Sequence, residues 1–252
     1  MVESGNALAI MGNHEFNAVL WATEKAQGSG HYLRAHIPKN HKQHREFLEQ
    51  VIEGSELHLE FVEWFKTLPL YLDMEGFRVV HACWHPEYLS VVEKFTDQNN
   101  SLFEDSWEES ANRETELFEA IELLLKGLEI TLPDGISFLD AYGHERTNIR
   151  SKWWRTGPDI TYKNIALAPP SVVKQIPEKP LKQNVLPGYD GLKPVFVGHY
   201  WLTGTPAPLS EHVACLDYSV AADKNGKLCA YQWDGELNLD QNKFCYVYGL
   251  NA

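Results

Sequence analysis

Basic residues are scarce: 22 lysines and arginines stand against 35 aspartates and glutamates, a formal charge of −13 over 252 residues. A surface of that sign repels nucleic-acid phosphates and excludes a general role in coating DNA or RNA. An anionic ligand would need a local positive site set into an acidic protein. Cysteine is sparse too. Cys83, Cys215, Cys229 and Cys245 show no Cys-x-x-Cys spacing, and three of them sit in strand-like apolar runs, which favours buried free thiols over disulfides or a zinc site. No apolar run approaches the roughly 18 residues of a membrane span, and no basic-then-apolar signal opens the sequence. The expected compartment is the cytoplasm, with no membrane partner. Internal repeats and low-complexity segments are lacking as well. What is present, 44% hydrophobic and 23% charged residues, is ordinary globular composition and suffices for one large α/β domain with an insertion.

The centre of the sequence pattern is Gly12-Asn13-His14-Glu15, between the apolar run Ala7-Leu8-Ala9-Ile10-Met11 and the helix-like Phe16 to Trp21. A buried strand would end at a glycine turn and deliver an amide, an imidazole and a carboxylate to the rim where a helix starts. In open α/β sheets ligands bind at that rim, outside the carboxyl ends of the strands. Two further apolar runs end in a histidine: Phe77-Arg78-Val79-Val80-His81 and Pro194-Val195-Phe196-Val197-Gly198-His199. Three strand ends, in order, thus carry a side chain able to ligate a metal.

That ordered set resembles the calcineurin-like metallophosphoesterases, in particular the branch of serine/threonine protein phosphatases, symmetrical diadenosine tetraphosphatases and bacterial polynucleotide kinase-phosphatases. The resemblance covers most of the chain and rests on three short motifs. It implies an α/β fold, a calcineurin-like two-sheet sandwich flanked by helices, as a single domain over 1–252 with its core in 1–85 and 188–252. A helical and loop cap insertion would occupy 86–187. The resemblance makes Asn13, His81 and His199 metal ligands and His14 the general acid that protonates the leaving oxygen, a task suited to imidazole. The implied activity is metal-dependent phosphoester hydrolysis by a dinuclear site, in which a metal-held hydroxide attacks phosphorus. Manganese is the expected metal, with iron, zinc, cobalt or nickel as alternatives. A nucleotide polyphosphate or another phosphoester is the expected substrate. A phosphoprotein, or a non-catalytic binding module of the same fold, is the alternative.

The family's two opening motifs, Asp-x-His and Gly-Asp-x-x-Asp-Arg-Gly, do not occur in this sequence. The expectation is therefore an N-terminally truncated fold with half a metal site. Asn13 and two neutral imidazoles bring no carboxylate to offset a divalent charge, so the chain alone would hold at most one ion and be weakly active or inactive. Beyond His81, Ala82-Cys83-Trp84-His85-Pro86 departs from the family's usual His-Ala-Gly-Leu continuation and sets an indole and a second imidazole beside the ligand.

The rest of the chain supplies supporting groups. His41 to Ile52 and Glu56 to Thr67 carry apolar residues at helical spacing, and Arg113 to Lys126 is strongly amphipathic. Leu68 to His81 reads as two strands joined at Glu75-Gly76, while His212 to Asp217, Lys227 to Trp233 and Lys243 to Tyr248 read as short antiparallel strands. The acidic Phe103 to Glu109 reads as a solvated helix or loop. Phosphate calls for planar, permanently charged donors, and the basic-aromatic stretch Tyr142 to Arg155 offers Arg146, Arg150 and Arg155 as substrate-binding candidates. Arg146 and Arg150, four apart, could share a helical face. Trp84 or Trp153 could stack on a base, or the tryptophans could simply pack the cap. Asp217 resembles an aspartate near the site in the tetraphosphatase branch, where it would accept a hydrogen bond from a ligand histidine; a plain strand-end aspartate is the alternative.

Overall fold

The structure is a computed structural model that describes residues 1–140, 143–182, 185–221 and 225–249. The protein is a mixed α/β chain of helices and several small sheets. It divides into two units: Met1–Ala82 with Glu87–Lys126, and Cys83–Pro86 with Gly127–Ala252.

In the first unit α1 (Asn13–Ala22) starts immediately after Gly12, whose N–H donates to Glu15 Oε2 at 3.1 Å. The carboxylate thus occupies the first turn, where the helix dipole and unpaired amides favour a negative charge. The helix buries Phe16, Ala18, Val19, Leu20 and Trp21. Proline near its N-terminus opens α2 (Pro38–Val51), which buries His44, Leu48 and Val51 at i, i+4, i+7 spacing. Ser55 Oγ accepts from His58 N at 3.1 Å and caps α3 (Glu56–Lys66), whose buried stripe is His58, Val62 and Phe65. The expected hairpin forms as β1 (Tyr71–Asp73) and β2 (Arg78–Val80), antiparallel with Leu72 opposite Val79. Three further helices follow, α4 (Pro86–Val92), α5 (Trp107–Ala111) and α6 (Glu116–Lys126). Leucines 117, 124 and 125 of α6 are fully buried, and Leu124 O accepts from Ala82 N at 2.9 Å, which anchors the chain just past β2.

In the second unit β3 (Glu129–Thr131), β4 (Phe138–Leu139), β5 (Glu145–Arg146) and β6 (Asn148–Arg150) make two small antiparallel pairs, β3 with β6 and β4 with β5. Short helices α7 (Tyr162–Ile165) and α8 (Pro170–Val173) complete a core of Ile130, Leu132, Ile149, Ile165, Ala166, Val172 and Ile176. β7 (Val195–Val197) and β8 (Val213–Cys215) run parallel and are buried at every position, as expected of parallel strands covered on both faces. β9 (Asp217–Tyr218), β10 (Lys227–Tyr231) and β11 (Phe244–Tyr248) form an antiparallel sheet in the order β11-β10-β9.

Four local expectations are corrected. Within His212 to Asp217, β8 pairs parallel with β7 rather than antiparallel. Ala7 to Met11 is no strand. Met11 N donates to Pro69 O at 2.8 Å, but proline has no N–H to return a bond, so no reciprocal pair forms. Leu8 is left 65% exposed. Arg146 and Arg150 lie on β5 and β6 rather than on one helical face. There the Asn148–Arg150 segment pairs with Glu129–Thr131, and ladder pairing overrides the helical spacing. The acidic Phe103 to Glu109 stretch is not wholly solvated. Trp107 at the head of α5 is buried and stacks on Phe16 with ring centroids 5.8 Å apart, since an indole hidden from water outweighs its exposed acidic neighbours. Tyr142, at the start of the basic-aromatic stretch, lies outside the described residues.

Candidate functional site

The first unit brings two expected ligands together. Asn13 begins α1 and His81 follows β2, 68 positions later, yet Asn13 Oδ1 and His81 Nε2 lie 2.9 Å apart. With the Nε2–H tautomer, His81 donates to Asn13 and one proton bridges the two atoms. The turn before them is tight. A Cβ on Gly12 would stand 2.5 Å from Glu15 Oε2 and 3.0 Å from His81 Cε1. A side chain here would have to displace the Glu15 carboxylate and press on the His81 ring, while the backbone at φ −108° suits any residue. His14 is exposed at the start of α1.

His199 belongs to the second unit, just past β7, and its setting is different. His199 and Trp201 hold positive φ, 68° and 52°, as does Ser219 at 59°. The Asp217 carboxylate fixes this backbone: Oδ2 accepts from Trp201 N at 3.1 Å and Oδ1 accepts from Ser219 N at 3.0 Å. Asp217 O also accepts from Leu202 N at 2.9 Å. Asp217 therefore supports the segment carrying His199 through the main chain. The neighbouring Tyr200 is buried, takes a hydrogen bond from Trp153 Nε1 at 3.0 Å and has its hydroxyl pKa raised well above the usual value, mainly by burial.

The three arginines divide. Arg146 is engaged with Asp140, Nε to Oδ2 at 2.9 Å and Nη2 to Oδ2 at 2.8 Å. Arg150 lies on β6 opposite Glu129. Arg155 Nη1 donates to Asn164 O at 3.2 Å. Trp84 and Trp153 are both buried, so neither indole presents a face on which a base could stack.

The cysteines behave as the apolar runs predict. Cys83, Cys215 and Cys229 are buried free thiols, and Cys245 is an exposed one. Burial raises the Cys83 thiol pKa well above its usual value and pushes that of Cys215 up to about 12, which keeps both protonated and poor as ligands or nucleophiles.

The sequence shows His36, His41 and His44 clustered at a polar helix start, but sequence reasoning missed that His44 and His58 of the first unit are buried. His36 is sandwiched between Trp21 and Tyr32, with ring centroids 3.7 and 4.0 Å away. His44 and His58 are 6% and 3% exposed, and each has a buried Nε2 without a hydrogen-bond partner. Burial first, then the charges of His58, Arg34 and His14, lowers the His44 pKa to about 4 against the opposing pull of Glu53. His58 is lowered too, chiefly by burial. The signal was available: His44 continues the Leu48, Val51 stripe of α2, so the helical period marks it as buried.

Among the described residues no group of three or more histidines, cysteines, aspartates or glutamates is placed to hold a metal. The set Asn13, His81 and His199 contains only two residues of those types. The converging Asn13 oxygen and His81 nitrogen fit one edge of a divalent ion's coordination shell, where the cation would replace the shared proton. Their neutrality does not fit a dinuclear centre, which needs anionic bridging ligands. No protein-family profile matches the chain, and no curated protein matches it. No helix among the described residues is long and apolar enough to cross a membrane.

Proposed function

We propose that this chain carries part of the site of a metal-dependent phosphoester hydrolase with a calcineurin-like sandwich fold, acting on a nucleotide polyphosphate or another phosphoester. The observation that carries the reading is the approach of Asn13 Oδ1 to His81 Nε2 at 2.9 Å. These residues are remote in sequence, and the resemblance pairs them as ligands of one ion. Asn13 and His81 would hold a divalent cation such as manganese, with His199 the third ligand that the resemblance implies. The ion, when bound, supplies Lewis-acid stabilisation of charge on the phosphoryl oxygens. His14, exposed beside Asn13, gives its proton to the leaving oxygen. Asp217 holds the backbone around His199. Arg146, Arg150 and Arg155 are the candidate phosphate donors, and among the described residues Arg150 and Arg155 carry no carboxylate bond as tight as that of Arg146.

The neutral donor set favours a chain that by itself holds at most one ion and turns over weakly or not at all. The test is hydrolysis of an aryl phosphate with added manganese, alongside metal content per chain and an Asn13→Ala, His81→Ala pair. One weakly held ion, lost in both variants, is expected. Two tightly held ions, or one retained in both variants, would refute the ligand assignment, and robust turnover that survives His14→Ala would refute the role of His14.

A further inference from the structure

The second unit contains a cavity of about 390 Å³ to which Arg155 contributes. Backbone hydrogen bonds join its two lining segments near their ends. At one end Gly188 N donates to Trp153 O at 3.1 Å; at the other Leu181 N donates to Ile160 O at 2.9 Å and Tyr162 N donates to Lys179 O at 3.0 Å. At Gly188 a side chain would be strained, since φ is +68° and a Cβ would lie 2.5 Å from Thr156 Cγ2. The volume falls in the range of small-ligand pockets, roughly 300–1,000 Å³.

The chemistry of the wall is unlike that of the rest of the molecule. The chain has 35 acidic residues, yet among the described residues no aspartate or glutamate lines this cavity. Its charged residues are Arg155 and Lys182, both exposed, and its half-buried apolar surface includes Ile160, Leu181 and Leu186. Neither cation is paired with a carboxylate among the described residues. Lys152 adds to the positive field: its Nζ shares the Asn164 carbonyl with Arg155, at 3.4 and 3.2 Å. Burial first and then the nearby Arg155 charge lower the Lys152 pKa. Cations beside a half-buried apolar wall are complementary to an anion with an apolar body, and a guanidinium and an ammonium in one lining suit a phosphate group.

We propose that this cavity binds a phosphate monoester of a compact apolar group, with the phosphate on Arg155 and Lys182 and the apolar body against Ile160, Leu181 and Leu186. The site shares Arg155 with the phosphoesterase reading, but it invokes no metal, His199 is not among its lining residues, and Lys182, which that reading does not use, tells the two apart. The experiment is calorimetric titration of the whole chain with phenyl phosphate in the presence of a chelator, which prevents metal-dependent turnover. Arg155→Gln and Lys182→Gln are read in parallel, with circular dichroism to show that these surface variants fold. Each substitution is expected to weaken binding about tenfold, the worth of a charge-assisted hydrogen bond. Phenol and inorganic phosphate are each expected to bind more weakly than phenyl phosphate. Absence of phenyl phosphate binding at millimolar concentration, or native affinity in the Arg155→Gln/Lys182→Gln double variant, overturns the site. Equal affinity for inorganic and phenyl phosphate overturns the ligand class.

Discussion

The segment before α1 and the segment after β7 both present a candidate ligand, but they use backbone freedom in opposite ways. Ahead of Asn13 stands a glycine at an ordinary φ of −108°. A Cβ there would crowd the Glu15 carboxylate and the His81 ring. Around His199 the residues with left-handed φ are not glycines at all: His199, Trp201 and Ser219 adopt it with side chains attached. Such residues persist only where surrounding bonds over-determine the backbone, and two of the three donate their N–H to Asp217. Asn13 and His81 are therefore placed by side-chain crowding and a direct bond, and His199 by a carboxylate that grips main-chain amides. A glycine in a motif does not by itself mark an unusual φ, nor does the absence of glycine exclude one.

The strongest way to break this comparison is Gly12→Ala. The new methyl group meets the Glu15 carboxylate and the His81 ring, so one must move, and Glu15 also loses its bond from Gly12 N. A destabilisation of about 3 kcal/mol is expected, which thermal melting would read as a fall of roughly 6–12 °C. An unchanged melting temperature would mean that the turn has slack and that crowding does not place Asn13 against His81. Asp217→Ala is the matching change at the other end. Two charge-assisted bonds to amides are lost, at about 2 kcal/mol, and hydrogen exchange should quicken at Trp201 and Ser219 while Gly12 is unaffected. Protection retained at Trp201 would remove Asp217 from its supporting role.

A third test separates the units by pH. The buried histidines among the described residues, His44 and His58, both lie in the first unit. The folded His44 pKa is near 4, below its ordinary value of 6.5. Below pH 6.5 the unfolded chain takes up a proton that the folded chain refuses, so this stability is complete above about pH 6.5 and is lost as pH falls toward 4. Discounted for solvent screening, the loss is about 1.5 kcal/mol. Denaturation at pH 7.5 and 5.0 should show a steeper loss for the native chain than for His44→Leu. Equal slopes would mean that His44 is hydrated or paired when folded.

The helices were legible in the sequence because each carries its own evidence. The 3.6-residue period of α2, α3 and α6 survives whatever packs on them, and the Glu75-Gly76 turn announced the β1–β2 hairpin. Ala7 to Met11 and the arginine stretch were not legible for the opposite reason: strand formation depends on a remote partner. Pro69 denies one segment a reciprocal bond, while Glu129–Thr131 gives the other a ladder. Of the candidate site, the approach of Asn13 to His81 was foreseeable from the motif order. That Asp217 would hold backbone amides at left-handed residues was not, since φ leaves no trace in a sequence that has histidine, tryptophan and serine at those positions.

The smallest predicted effect tests that last point by its sign. At most positions replacing alanine by glycine destabilises a protein, because glycine has more freedom to lose on folding. At Trp201, whose φ is 52° and whose side chain is largely exposed, the Cβ penalty of the left-handed region should reverse that order. Trp201→Gly is expected to be more stable than Trp201→Ala by about 1 kcal/mol, a difference of about 2–4 °C in melting temperature. Because both variants lose the same indole contacts, the comparison isolates the backbone. The usual order, with alanine the more stable, would mean that the residues around His199 are not held in left-handed geometry.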